Sequence, residues 1–154
     1  MKKLSISLIS AALLNACANP NALSDKAAFN PLTATDSRLG PQALPVGECG
    51  LFLWGQSEGR PLQFFQNTST KQVVIPFRPG SKVTRRSTAQ PIADGFFAEQ
   101  RFSVDDLVMD ITLRVEAGRN LLKGIAVPTG RIVLGENSGR ETVIPVVGLF
   151  GCRN

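Results

Sequence analysis

Hydrophobic and polar positions divide this chain into three stretches of different character. Leu4 to Leu14 is an eleven-residue apolar run broken only by Ser5, Ser7 and Ser10, and it follows the charges of Lys2 and Lys3. From Ala18 to Val46 no apolar period is sustained, and Pro20, Pro31, Pro41 and Pro45 stand among Asn, Ser, Thr and Ala. From Glu48 onward, short apolar runs are separated by turn residues, the signature of an all-β sandwich or small barrel.

The clearest strand in the third stretch is Met109 to Glu116. Met109, Ile111, Leu113 and Val115 alternate with Asp110, Thr112, Arg114 and Glu116, so one face is core and the other meets water. Further strands are expected at Cys49–Trp54, Leu62–Gln66, Gln72–Phe77, Lys82–Ser87, Phe96–Phe102, Arg131–Leu134 and Thr142–Val147. Turns are marked by Ser57-Glu58-Gly59, Pro79-Gly80, Glu116-Ala117-Gly118 and Asn137-Ser138-Gly139. Asn120 to Lys123 fits one helical turn, and no later segment holds a helical period. Thr142 to Cys152 is apolar on both alternating faces, which predicts a strand covered on both sides or a bulge at Pro145 or Gly148. Pro145 also argues for an edge position or an adjacent bulge. The expected fold is one antiparallel β-barrel or β-sandwich of about seven or eight strands.

The first stretch has the parts of an export signal: a positive start, a short apolar centre and small residues before a cut. It is too short to span a bilayer as a helix, which takes about 20 apolar residues. Leu14-Asn15-Ala16-Cys17 resembles the lipobox of bacterial lipoprotein precursors, with Leu three positions before the cysteine and Ala directly before it. The resemblance covers residues 1–17 alone. It implies cleavage before Cys17, lipidation of Cys17 with acyl chains such as palmitate, and a membrane anchor. Ala18 after the cysteine, in place of Asp, implies the outer membrane, facing the periplasm. Ala16-Cys17-Ala18 also has the A-x-A form of an ordinary secretory site, which would release a soluble chain at Asn19. The expected organisation is a signal peptide over 1–16, lipidated Cys17 with a flexible tether over 17–46, and a β domain over 47–154. As a coil, a tether of roughly 28 residues has an end-to-end distance of about 30 Å, and about 100 Å when fully extended.

With Cys17 acylated or removed, two cysteines remain, Cys49 and Cys152. Oxidising export compartments favour a disulfide between them, whereas two thiols without histidine make a poor metal site. Closing a loop of about 100 residues stabilises a fold by roughly 4 to 5 kcal/mol in the chain-entropy description. A bridge between the two ends of the β region also makes those ends neighbours and marks one domain.

Composition narrows the function classes. Hydrophobic content of 43% supports one core. The formal charge is +5, and Lys2 and Lys3 account for two of those charges, so the chain without its signal carries +3. That excess gives little reason to expect nucleic-acid binding, and an exported chain rarely meets nucleic acid. The absence of His removes Ser-His-Asp and Cys-His catalysis and the His-bearing zinc sites. The absence of Tyr removes sialidase-like nucleophiles. Phosphate-loop, dinucleotide, serine-hydrolase and β-lactamase motifs do not occur, and no cofactor is expected.

Three constellations stand out. Asp105, Asp106 and Asp110 offer oxygen ligands or paired acids, the requirement of a glycosidase or a Ca²⁺ site, although alternation places Asp106 and Asp110 on the solvent face. Arg78, Lys82, Arg85 and Arg86 cluster around Pro79-Gly80, with no acidic residue from Lys71 through Pro91. Such a cluster suits contact with an anionic surface: lipid head groups, lipopolysaccharide phosphates or an acidic partner. Phe52, Trp54, Phe65 and Phe97 lie in runs of adjacent apolar residues whose rings must point to both faces, which makes them candidates for a partner patch. The function expected is a noncatalytic binding or accessory module, tethered to the envelope membrane, for another envelope protein, glycan or lipid. The alternatives are a carboxylate-dependent cell-wall hydrolase, or a soluble secreted binding protein if Cys17 carries no lipid.

Overall fold

The structure, a computed structural model, describes residues 37–85, 90–93, 95–117, 124–136 and 139–154. These form eight strands: β1 (Cys49–Gly55), β2 (Leu62–Asn67), β3 (Gln72–Val74), β4 (Val83–Arg85), β5 (Glu99–Val104), β6 (Leu107–Ala117), β7 (Ile125–Glu136) and β8 (Glu141–Cys152). All neighbours are antiparallel, in the order β3-β2-β1-β8-β7-β6-β5-β4. The sheet curls into a nearly closed barrel, and among the described residues there is no helix. The Asn120 to Lys123 turn lies outside the described residues, as do Gly118, Asn137 and Ser138 of the expected turns.

The order is a meander whose first and last strands are paired. Cys49 stands directly opposite Cys152 in the β1–β8 ladder, and the two are disulfide-bonded across a sequence separation of 103. The opening therefore falls in mid-chain, between β3 and β4. Both of these strands are three residues long, and the connection between them carries Pro76 and Pro79, which have no N–H to extend a ladder.

Alternation builds the core. Leu107, Met109, Ile111 and Leu113 of β6 point inward and are buried, as are Leu51 and Leu53 of β1, Ile132 and Leu134 of β7, and Ile144, Val146 and Phe150 of β8. Phe64 and Phe102 pack at 5.7 Å between ring centroids, and Phe96 stacks on Phe150 at 4.9 Å. Gly148 and Gly130 occupy inward positions where chain and side chains approach closely. A Cβ at Gly148 would overlap the Phe52 carbonyl oxygen and lie 2.7 Å from Leu53 Cδ2, and one at Gly130 would lie 2.6 Å from Leu113 Cδ2.

Several boundaries depart from the sequence expectation. β8 keeps one register against β1, with even-numbered residues inward, so it does not swap faces. It is a central strand, so Pro145 is not at an edge; the alternative of an adjacent bulge fits, since the β7–β8 ladder slips between the pairs Val127–Gly148 and Gly130–Val146, beside Pro145. The Pro145 carbonyl accepts the Gln56 N–H, so its nitrogen faces the same side, just where β1 has ended at Gly55. β7 begins at Ile125 and not Arg131, with Pro128 held where the ladders to both β6 and β8 slip register. β5 begins at Glu99, since Phe96 bonds back to Ala93 in a turn. β3 stops at Val74, short of Phe77.

Residues 37–46, part of the stretch expected to be tether, lie along the barrel. The Leu39 N–H donates to Leu62 at 2.8 Å, and the Gln63 side chain donates to the Ser37 carbonyl. Leu44 is buried over Gly50, and Arg153 donates to its carbonyl at 2.9 Å.

Candidate functional site

The β3–β4 opening gathers most of the basic residues singled out above. On one side, the β2–β3 turn is built by Asn67, whose Oδ1 accepts the N–H groups of Ser69 and Thr70, both at 3.1 Å. Asn67 Nδ2 donates to Glu48, and Thr68 Oγ1 donates to the Cys49 carbonyl. This bracing against β1 carries Lys71, which adopts a positive φ of 63°. On the other side, the connection from β3 turns at Gly80 and leads through Lys82 to Arg85 at the end of β4.

The acidic residues hold that connection in place. Asp105 and Asp106 form the two-residue tip of the β5–β6 hairpin, between the paired Val104 and Leu107, and Asp105 has φ 52°. Ser81 Oγ donates to Asp105 at 2.6 Å, and Arg78 Nη2 lies 3.6 Å from Asp106. Asp110 faces Arg101 across the β5–β6 ladder and accepts two bonds from its guanidinium, at 2.6 and 2.7 Å. That hydrogen bonding, with the added charge attraction of Asp110, raises the Arg101 pKa above its ordinary value. The three carboxylates are thus engaged with Ser81, Arg78 and Arg101. Among the described residues no group of three or more His, Cys, Asp or Glu could hold a metal ion.

Lys71, Lys82 and Arg85 differ from Arg78 and Arg101, since among the described residues none of the three forms an ion pair. Register pairs Arg85 with Phe102 and Val83 with Val104, which puts Arg85 on the core-facing side of its edge strand. Its guanidinium lies 4.0 Å above the Phe97 ring. Phe97 is itself buried, with Gln100 Nε2 donating to its carbonyl. Arg86 lies outside the described residues.

Two cavities flank the opening. One, of about 350 Å³, is lined by Gln66, Lys71, Val73, Val83, Arg85 and Phe102, with Thr68, Thr84 and Gly95 completing its wall. The other, of about 450 Å³, reaches from Arg38 and Leu39 past Val74 and Pro76 to Arg78 and Ser81. Val73 and Val83 border both. Lys71 and Gln66 escaped the sequence reading. Lys71 was separated from the Arg78 cluster by β3, and nothing in an alternating strand marks a glutamine as inward-facing.

The four aromatic candidates do not form one patch. Phe52 and Trp54 lie on the outer face of β1, half-buried, with centroids 6.0 Å apart. Phe65 faces outward beside Phe52 at 4.9 Å but is only 4% exposed, and Phe97 supports Arg85. Cys17 lies outside the described residues, among which no helix is long and apolar enough to cross a membrane. Comparison with protein-family models, curated proteins and solved structures finds no match to this chain.

Proposed function

We propose that this chain is an exported, lipid-tethered binding module of the bacterial envelope that holds an anionic ligand at the β3–β4 opening without transforming it. The observation that carries this reading is the pair of cations, Lys71 and Arg85, that line a cavity between β3 and β4, two strands not paired with each other, and that form no ion pair among the described residues. Two exposed cations that converge on one opening attract an anion together. The carboxylates that a hydrolase would need are spent on structure: Asp105 and Asp106 secure the β3–β4 connection, and Asp110 binds Arg101. The lipobox-like sequence ending at Cys17 supports a membrane anchor, and Ala18 supports the outer membrane, with the barrel in the periplasm.

Site-directed photo-cross-linking in intact cells tests the reading. A photoreactive residue at Thr84, which lines the cavity, is compared with one at exposed Glu141 on β8, four strands from β4 in the sheet order. Adducts from position 84 that are absent from position 141, in a chain that leaves the membrane fraction when Cys17→Ser is introduced, are expected. Equal labelling at both positions contradicts the assigned face. A Cys17→Ser chain that stays in the membrane contradicts the tether.

A further inference from the structure

The edges on either side of the opening carry backbone groups that no strand of the barrel takes up. Alternation along each antiparallel ladder fixes which residues these are. Beside β5–β6 the Leu113 N–H donates to the Ala98 carbonyl, so by steps of two Gln100 and Phe102 bond to β6, and Ser103 turns its groups toward Thr84 of β4. The N–H and C=O of Val83 and Arg85 therefore face away from β5, into the opening. On the far side the Thr68 N–H donates to the Cys49 carbonyl, and the same count leaves the N–H and C=O of Val73 facing away from β2. Among the described residues none of these groups has a backbone partner. The space between them is open to solvent: Val73 and Val83 border both cavities and are partly exposed, while Lys71, Thr84 and Arg85 are exposed.

Taking the proposed binding module as its premise, we infer that the anionic ligand is an extended acidic peptide segment of another envelope protein, which adds to the free edge of β4 as a strand. Strand addition draws affinity from main-chain hydrogen bonds and specificity from alternate side chains. A segment antiparallel to β4 bonds to Arg85 through one residue and to Val83 through the residue two positions later. Both of those side chains then share the inward side with Arg85 and Val83. The earlier one, opposite Arg85 and close to Lys71 on the same cavity, meets two cations that form no ion pair among the described residues, and it is an aspartate or glutamate. The later one, opposite Val83 and toward Val73, is apolar. The direction of β4 thus sets the order acidic, any, apolar. Arg85 also supplies the selection: an inward-pointing cation on an edge disfavours a strand that covers it with an apolar side chain, and accepts one that brings a carboxylate. A lipid head group or free phosphate meets the cations but leaves the β4 edge unpaired.

The test is a titration of the full-length chain, held in zwitterionic nanodiscs, with four probes. They are the end-blocked peptide Ser-Thr-Glu-Thr-Val-Thr-Ser, its form with glutamine in place of glutamate, its form N-methylated at valine, and inorganic phosphate. The first peptide is expected to bind about fivefold more tightly than its glutamine form at low salt, with a smaller difference at high salt. N-methylation removes the donor to the Val83 carbonyl and should weaken binding about tenfold or more. Bound peptide should slow hydrogen exchange at the Val83 and Arg85 amides and leave Thr84, already bonded to β5, as it was. Arg85→Gln should remove the preference for glutamate and leave the glutamine peptide bound as before. Equal affinity of the native chain for the glutamate and glutamine peptides, equal affinity for the N-methylated one, or no saturable binding of any peptide overturns the inference, and these readings need no variant to fold. Slow exchange at Val83 and Arg85 in the free chain would assign the edge to another segment of this chain or to a second copy, and overturns it too. Cross-links from Thr84 in cells, with phosphate bound and no peptide bound, would leave the binding module standing and remove this ligand class. The absence of both cross-links and binding would remove the module as well.

Discussion

Gly148 is the position where a single atom matters most to this fold. Its inward place on β8 brings it against the Phe52 carbonyl and the Leu53 side chain, so an added methyl group forces β1 and β8 apart. Overpacking of this kind costs about 1 to 3 kcal/mol. Gly148→Ala is therefore expected to lower the unfolding free energy from urea titration by an amount in that range, seen as a lower midpoint at unchanged slope, while Gly139→Ala, in the β7–β8 turn with nothing near its Cβ, acts only through its positive φ. This role of Gly148 was not readable in sequence, where a glycine in an apolar run reads as a bulge or a change of face. Arg85 illustrates the same limit. In the sequence it is one more charge near Pro79-Gly80, and only the pairing of β4 with β5 turns it toward Phe102. Asp106 and Asp110 were correctly expected outside the core, but the partners that occupy them, Arg78 and Arg101, are set by tertiary neighbours.

At the level of elements, β1, β2 and β6 were readable because their apolar residues alternate without interruption or form short runs closed by clear turns. The expected β7 and β8 are cut short because Pro128, Gly130, Pro145 and Gly148 look like breakers. Each is tolerated for a local reason: Pro128 at a register slip, Pro145 where β1 has ended, and the glycines where the barrel wall is tight. The Asp105-Asp106 tip passed unnoticed because acidic pairs suggest chemistry more readily than turns, yet Asp is well suited to a positive φ. β3 is shorter than expected, while Arg86 and Ser87 of the expected β4 lie outside the described residues. The short β3 edge leaves its side of the opening unpaired, and an inward-pointing Arg85 opposes closure by a foreign strand on the other.

For the whole molecule, the feature of most consequence is that the barrel closes at its chain ends and opens in its middle. The β1–β8 ladder and the Cys49–Cys152 bridge join the first and last strands, so the bridge spans almost the entire barrel. Its entropic contribution should depend on that span. In a permutant that joins Asn154 to Ser37 and begins at Gly80, the two cysteines enclose a loop of roughly 15 residues. Removing the bridge should then cost about 3 kcal/mol, against about 4.7 kcal/mol in the native order, as read from urea unfolding of matched Cys→Ser pairs. Equal costs would mean that the bridge acts through native contacts and not through the unfolded chain. The same topology sets the opening, with its cations, away from the closed and disulfide-bonded side of the barrel. In the proposed function, those cations hold an anionic ligand there. Its most direct test is the yield of Thr84 photo-cross-links in intact cells after Lys71→Glu and Arg85→Glu are introduced together. A fall of about tenfold or more, with the folded chain present at its normal level, is the predicted result. An unchanged yield from a folded double variant would contradict the account.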